Sequence, residues 1–380
     1  MQWLTDINQC NSDLWQDQDY PFISKAFLDA LQNSQSIGAL TGWQPHYLTN
    51  GAKDQHPQWL IPAFVKQHSY GEYVFDWSWA NAYEQHGLAY YPKLLIAAPF
   101  TPATGIRNIG LTNDDWLTRL QEIESHCLEQ GYSSAHILFP CETERAVLNN
   151  SPWLRRVGVQ FHWFNRDYKN FDDFLSHFKS RKRKSVKKER EALRQQEITI
   201  TRLNGSDISD HDWTYFYNCY QSTYLKRGMQ GYLKLPAFKL MAKTMSDQML
   251  MVMAKDDNEN TLACALYFLD SETLYGRYWG CMHDIPGLHF ELCYYQGIEY
   301  CIEHGLQRFD PGTQGEHKIG RGFEPTYTYS YHWIAHPDFR QAVARFVKEE
   351  ADHTQIYKQD CYKHLPFNEE AMPAFESRFK

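Results

Sequence analysis

The chain has 380 residues, 43% hydrophobic and 16% aromatic, enough apolar surface for a sizeable core and too much for a disordered polymer. Its formal charge of −8 is uneven: eight of the twelve residues from Lys179 to Arg190 are basic and one is acidic, so that 30 basic and 45 acidic residues remain elsewhere, a net −15. Nine scattered cysteines without a C-x-x-C pair read as reduced thiols, and with no basic-then-apolar leader and no long apolar run a cytoplasmic protein without a membrane span is expected.

Strand and helix patterns alternate, which argues for an α/β (α+β) protein. Trp59–Val65 and Tyr73–Phe75 read as strands, and the aromatic segment Phe75–Tyr83 as core or rim packing that can also stack on a sugar. Leu94–Ala98 is a short apolar strand that leads into the turn-rich PFTPATGIRNIG. Asp114–Gln130 is helical: Asn113 or Asp114 can cap it, Trp116, Leu120 and Ile123 follow at helical spacing, and Gly131 ends it. His136–Phe139 is the next strand.

From Phe171 to Gln195 the pattern is helical again, with Phe174, Leu175 and Phe178 as a stripe before the cations begin. Arg183, Lys187 and Arg190 share one face, and Arg181, Lys184 and Lys188 another. A solvated basic helix is the plain reading. Like charges at i,i+4 cost stability, however, and one cationic stretch on an acidic body suits a local anion contact. Phosphate is the natural counter-ion, as the pyrophosphate of coenzyme A, a nucleotide-linked precursor or the backbone of a tRNA.

Gln248–Ala254, Leu262–Leu269 and Thr273–Trp279 follow as strands. A helix from about His289 to His304 closes at Gly305, and Leu306–Asp310 is another strand. Cys127-Leu-Glu-Gln-Gly131 echoes Cys301-Ile-Glu-His-Gly305 in the same strand–loop–helix–Gly–strand order, which points to an internal duplication. A last helix, about Pro337–Tyr357, carries Phe339, Val343, Phe346 and Val347 as its apolar stripe.

The segment Gly312–Phe323, GTQGEHKIGRGF, sets Glu316, His317, Lys318 and Arg321 among four glycines, and a carboxylate, an imidazole and two cations in one turn are site chemistry. Together with LYGRYWGC (Leu274–Cys281), LHFELCYYQ (Leu288–Gln296) and SRKRKSVKKER (Ser180–Arg190), it resembles the predicted N-acyltransferases of the FemAB-like "peptidoglycan biosynthesis/recognition" family. That family lies in the Gcn5-related (GNAT) acyltransferase superfamily and is related to the Fem-type aminoacyltransferases. The motifs match closely from about Phe161 to Trp333, and more loosely from about Leu31 onward.

The resemblance implies tandem GNAT-like domains, each a mixed central sheet flanked by helices. They are divided here as 1–165 on the acceptor side, 166–335 with the basic helix and catalytic cleft, and a helical extension, 336–380. In GNAT folds the fourth and fifth strands splay around the acyl donor; here those are Thr273–Trp279 and Leu306–Asp310. N-acyl transfer needs donors of hydrogen bonds to an oxyanion and a base for the amine proton. Lys318 matches the lysine of Fem-type enzymes that touches the donor phosphate or the transferred acyl group. His317 or Glu316 is the candidate base, and Tyr278 the candidate leaving-group acid.

Donor contacts are expected from Arg181, Arg183, Lys184, Lys187, Lys188, Arg277, His289, Glu291, Gly315 and Arg321, with His283 nearby. His289 and Glu291, two apart on a helix, point to different faces, so no metal is expected, nor a tightly bound cofactor. Acyl-CoA or aminoacyl-tRNA would be a co-substrate, and the amine of a cell-wall precursor or amino sugar the acceptor. The GNAT pyrophosphate loop Q/R-x-x-G-x-G/A is missing from CMHDIPGLHF. PFTPATGIRNIG offers Gly105, Arg107 and Gly110 at another spacing. The alternative is a non-catalytic module that binds a polyanion, tRNA or a nucleotide sugar, on a degenerate GNAT pair.

Overall fold

The computed structural model describes all residues except Met1, Asn11, Asp17, 52–56, Gln314 and 376–380, and the side chains of Ser12, Asn113 and Asp114. In chain order the elements are β1 (Gln2–Leu4), α1 (Lys25–Asn33), β2 (Trp43–Pro45), β3 (Tyr47–Thr49), β4 (Leu60–Ile61), β5 (Ala63–Lys66), α2 (Trp77–Gln85), β6 (Lys93–Ile96), α3 (Asn113–Gln130), β7 (Ser134–Leu138), α4 (Glu142–Leu148) and β8 (Leu154–Phe164). There follow α5 (Phe171–Ser176), α6 (Ser180–Arg194), β9 (Thr199–Asn204), α7 (Asp210–Leu225), α8 (Leu235–Thr244), β10 (Met249–Lys255), β11 (Thr261–Leu269), β12 (Thr273–Cys281), α9 (Leu288–Phe290), α10 (Gln296–His304), β13 (Arg308–Asp310), β14 (Glu324–Ile334) and α11 (Pro337–Lys363).

The chain forms two compact units, Met1–Gly158 with Tyr327–Thr354 and Val159–Thr326 with Gln355–Lys380. It changes unit inside β8, β14 and α11, so neither unit is one continuous stretch, whereas the sequence reading drew three successive segments. Periodicity tells which face of a strand is buried; it does not tell which neighbours that strand joins.

In the first unit the sheet order is β2-β5-β6-β7-β14, with a small β1-β3-β4 sheet beside it. In the second the order is β8-β13-β12-β11-β10-β9. Each unit holds one parallel pair, β6 with β7 and β12 with β13, joined by a helical crossover. Both crossover helices end on a left-handed glycine, Gly131 at φ 70° and Gly305 at φ 69°. In both, the next N–H reaches back to a buried cysteine's carbonyl, Tyr132 to Cys127 at 2.8 Å and Leu306 to Cys301 at 2.9 Å. The echoed peptides are therefore one helix stop used twice.

Three local expectations differ. Tyr73 takes φ 61° and no strand forms at 73–75. Thr112, not Asn113 or Asp114, is the N-cap of α3. The helix read over 171–195 is broken, because Lys179 is extended and its N–H donates to the Pro366 carbonyl at 2.8 Å. The second unit's core gathers Trp163, Phe174, Leu274, Leu292, Ile298, Phe309 and Phe323 around the parallel pair.

Candidate active site

β12 and β13 pair at three positions, Thr273↔Arg308, Leu274↔Phe309 and Tyr275↔Asp310. There β13 ends and turns away through Pro311, while β12 runs on to Cys281. On its other edge β12 slips register against β11 between Leu266 and Tyr267, so that Arg277 is the extra residue of a bulge. The fork holds a cavity of about 90 Å³ walled by Gly276–Trp279, Pro311, the facing part of β11, and His289, Cys293 and Tyr294.

The last three come from the crossover helix, which widens to a π-turn at Glu291–Tyr295 between α9 and α10. Such turns break the i→i−4 ladder and recur at functional sites. Here the Leu292 carbonyl accepts from the Tyr267 hydroxyl.

The glycine-rich segment forms a 3₁₀ turn, Glu316–Arg321. Lys318 is 1% exposed; its Nζ donates to the carbonyls of Gly312 at 2.6 Å and Pro311 at 3.4 Å and lies 5.9 Å from the centre of the Tyr294 ring. Burial lowers its pKa to about 8 against the pull of Asp310. His289 meets the rings of Trp279 at 5.2 Å and Tyr294 at 5.3 Å. Burial, then His317, Lys318 and Arg321, push its pKa down to about 4, leaving a neutral imidazole near pH 7. His317 is exposed, with Nε2 2.8 Å from the Tyr294 hydroxyl; partial burial and the cations Lys318 and Arg321 keep its pKa low.

The structure thus brings Arg277, Tyr278 and His289 to the cavity wall, with Lys318 and His317 beside its Tyr294. Other candidates go elsewhere. Glu316 is exposed and accepts from the Tyr357 hydroxyl at 2.9 Å. Glu291 is buried and takes the Arg190 guanidinium at 2.7 and 2.9 Å. Tyr278, although on the cavity wall, packs its ring edge-on against Tyr220 at 5.2 Å and Phe238 at 5.5 Å. Gly315 lies directly under the His317 ring, and His283 is exposed. Arg321 lies 3.4 Å over Phe290 and pairs with Glu189 at 2.9 Å.

On α6, Arg181, Lys184 and Lys188 are exposed, Arg183 donates to the Ser176 carbonyl at 3.4 Å, and Lys187 pairs with Asp172 at 2.7 Å. Lys187, Lys188, Arg190 and Arg194 line a separate concavity of about 610 Å³ that also contains Glu191 and Glu299. Two buried groups escaped the sequence reading. Asp310 accepts the Gly312 N–H at 2.9 Å, and His162 lies 3.6 Å from its other oxygen. Their only signal was a polar residue inside the apolar run FHWF and an acid at the end of the strand LQRFD.

The corresponding fork of the first unit is filled. After β6 the chain returns to pair Gly105 with Pro140. Arg107, 1% exposed, donates to the carbonyls of Leu138, Ala103 and Ile106 at 2.6, 2.6 and 2.8 Å. Its guanidinium closes a loop rather than waiting for a phosphate. Among the described residues no group of three or more His, Cys, Asp or Glu side chains is placed to hold a metal ion, and no helix is long and apolar enough to cross a membrane.

No protein of curated function matches the chain. Solved structures share its fold. The C-terminal domain of a candidate lysylphosphatidylglycerol synthetase from Agrobacterium fabrum aligns at TM-score 0.54 and 10% identity, over 89% of this chain and 94% of that one. FemX aligns at 0.53 and 12%, over 90% and 100%, and L-PGS from Bacillus licheniformis at 0.51 and 10%, over 87% and 99%. The architecture they share with this chain is a mixed sheet flanked by helices. Residues 4–369 match the FemAB-like family of peptidoglycan biosynthesis/recognition, and the chain belongs to that family.

Proposed function

We propose that this protein is an N-acyltransferase that moves an acyl or aminoacyl group from a thioester or tRNA-ester donor to an amino group, with the chemistry in the β12–β13 fork. The observation that carries the reading is the fork cavity with Lys318 held beside it. An ammonium has three donors; two of Lys318's are fixed on the carbonyls of Gly312 and Pro311, and the third is left for the oxyanion that forms at the attacked carbonyl. His289, neutral on the wall, accepts the amine proton. The amine nitrogen bonds to the carbonyl carbon, the carbon–sulfur or carbon–oxygen bond of the donor breaks, and the leaving group takes a proton, for which the Tyr278 hydroxyl is the candidate.

The acceptor we propose is the amine of a cell-wall precursor or amino sugar, in keeping with the family. For the donor, aminoacyl-tRNA suits the chain better than acetyl-CoA. The loop that precedes α9 carries Asp284, paired with Lys226 at 3.3 Å, where a pyrophosphate would meet a carboxylate. The exposed cations of α6 supply a phosphate contact instead.

The test is transfer of labelled acyl groups from aminoacyl-tRNA and acyl-CoA donors to amine acceptors. Lys318→Ala should cut turnover by ~10²–10³-fold, the usual loss for one oxyanion donor. Turnover equal to the parent's removes the site. Tight tRNA binding without turnover from any donor would favour the non-catalytic module.

A further inference from the structure

We infer that Asp310, backed by His162, is the positioning residue of the candidate site: it grips the turn after β13 from one side while Lys318 grips it from the other. The inference rests on the reading of Lys318 given above. Asp310 is 3% exposed and stands where β12 and β13 part. One of its oxygens accepts the Gly312 N–H at 2.9 Å, and the Gly312 carbonyl accepts from Lys318 Nζ at 2.6 Å. A single glycine, at φ 86°, is therefore held at both of its polar groups, by an anion at one and a cation at the other.

The second Asp310 oxygen faces His162 Nε2 at 3.6 Å, and the same Nε2 of His162, 2% exposed, lies 3.2 Å from the side-chain Oε1 of Gln160. Burial keeps that imidazole neutral near pH 7, its pKa lowered to about 4, so it packs beside Asp310 without giving it a counter-charge. Among the described residues, the other groups that interact with Lys318 are Cys293, Tyr294 and His289 from the crossover helix, His162 from β8 and His317 from its own turn. None of them is a carboxylate. A buried ammonium keeps its proton only beside a compensating charge, and Asp310 supplies it. Without that carboxylate the lysine would still reach Gly312, but as an amine.

Asparagine at 310 separates grip from charge, because its amide oxygen still accepts the Gly312 N–H. In lysine-labelled protein, NMR follows the Lys318 side chain, assigned by its absence from Lys318→Arg. The titration midpoint, about 8 in the parent, should fall by about one pH unit or more in Asp310→Asn, a tenfold weaker proton affinity. An unmoved midpoint in the folded variant overturns the inference. Should Asp310→Asn not fold, Lys318→Met gives the second reading. Hydrogen exchange at the Gly312 amide should quicken at least ~10-fold as one side of the grip is removed; unchanged protection overturns the inference. Neither measurement requires turnover, so a failure of the transferase reading would be seen separately, in the activity of Lys318→Ala.

Discussion

Lys318 sits where its two protonation states would do different chemistry. Burial lowers its pKa from the ordinary lysine value to about 8, Asp310 opposing the fall, so the ammonium that serves an oxyanion is lost as pH rises through that value. Transfer activity should therefore fall on the alkaline side of about pH 8. Lys318→Arg, charged at every such pH, should keep whatever activity it has without that fall. A pH profile that rises through the same region would instead make the neutral amine the working form. Gly280 stands where only glycine fits. A Cβ there would lie 2.2 Å from the backbone of Cys219 on α7, and backbone cannot give way as a side-chain tip can. Gly280→Ala should destabilise by ~1–3 kcal/mol, read as a lowered thermal midpoint. A midpoint equal to the parent's would show that α7 can move off β12. Lys318 and His317 were legible in the sequence because charge and imidazole crowd a glycine-rich turn. His162 and Asp310 were not, because a polar residue within or at the end of a strand looks the same whether it caps a neighbour or holds a site.

At the scale of elements, the strands around the fork read correctly to within a residue or two, since their apolar runs and glycine stops are local signals. The break between α5 and α6 could not be read, because Pro366, nearly two hundred residues on, captures the Lys179 N–H. That break lets α6 anchor itself separately. Glu189 takes Arg321 and the Tyr295 hydroxyl, and Arg190 takes Glu291 and Glu299, while Val186 and Leu193 are buried. Arg190 is therefore a structural cation, although the helical wheel had grouped it with Arg183 and Lys187. The exposed Lys184 and Lys188 remain for a polyanion. Lys184→Glu with Lys188→Glu should weaken tRNA binding at low salt and flatten its dependence on salt, by roughly one in log–log slope for each phosphate that is no longer neutralised. A variant with the parent's slope would place the polyanion somewhere other than α6.

Across the whole molecule, folding holds an unusual number of imidazoles neutral. Burial first, then nearby cations or a second histidine, lowers His46, His162 and His289 to about 4 and His136 to about 3, with His332 well below its ordinary value. The sheet of the first unit adds a buried ionic group. Lys66 and Lys93 stand directly opposite each other on β5 and β6, a costly pairing of like charges that Glu72 and Asp76 compensate, Lys93 reaching Glu72 at 2.8 Å. Between the unfolded histidine value near 6.5 and the folded values near 4, the unfolded chain binds more protons than the native one, so stability falls as pH falls through that window. Each such histidine contributes up to about 1.4 kcal/mol per pH unit there. Glu72 works in the opposite sense, since burial raises it to about 7 and the native state then holds the extra proton. Glu144 and Glu324, also raised by burial, act with it, against the five imidazoles and the similarly lowered His68, His126 and His317. Lys66, lowered to about 6 by burial, is relieved only as pH rises above that value, which also favours the alkaline side. The thermal midpoint should therefore decline steeply from about pH 6.5 to 4.5, and His289→Phe should shallow the decline by removing one of the titrating groups. A midpoint flat down to pH 5 would mean that these imidazoles take up protons without unfolding the chain, and that the interior is far better solvated than its packing implies.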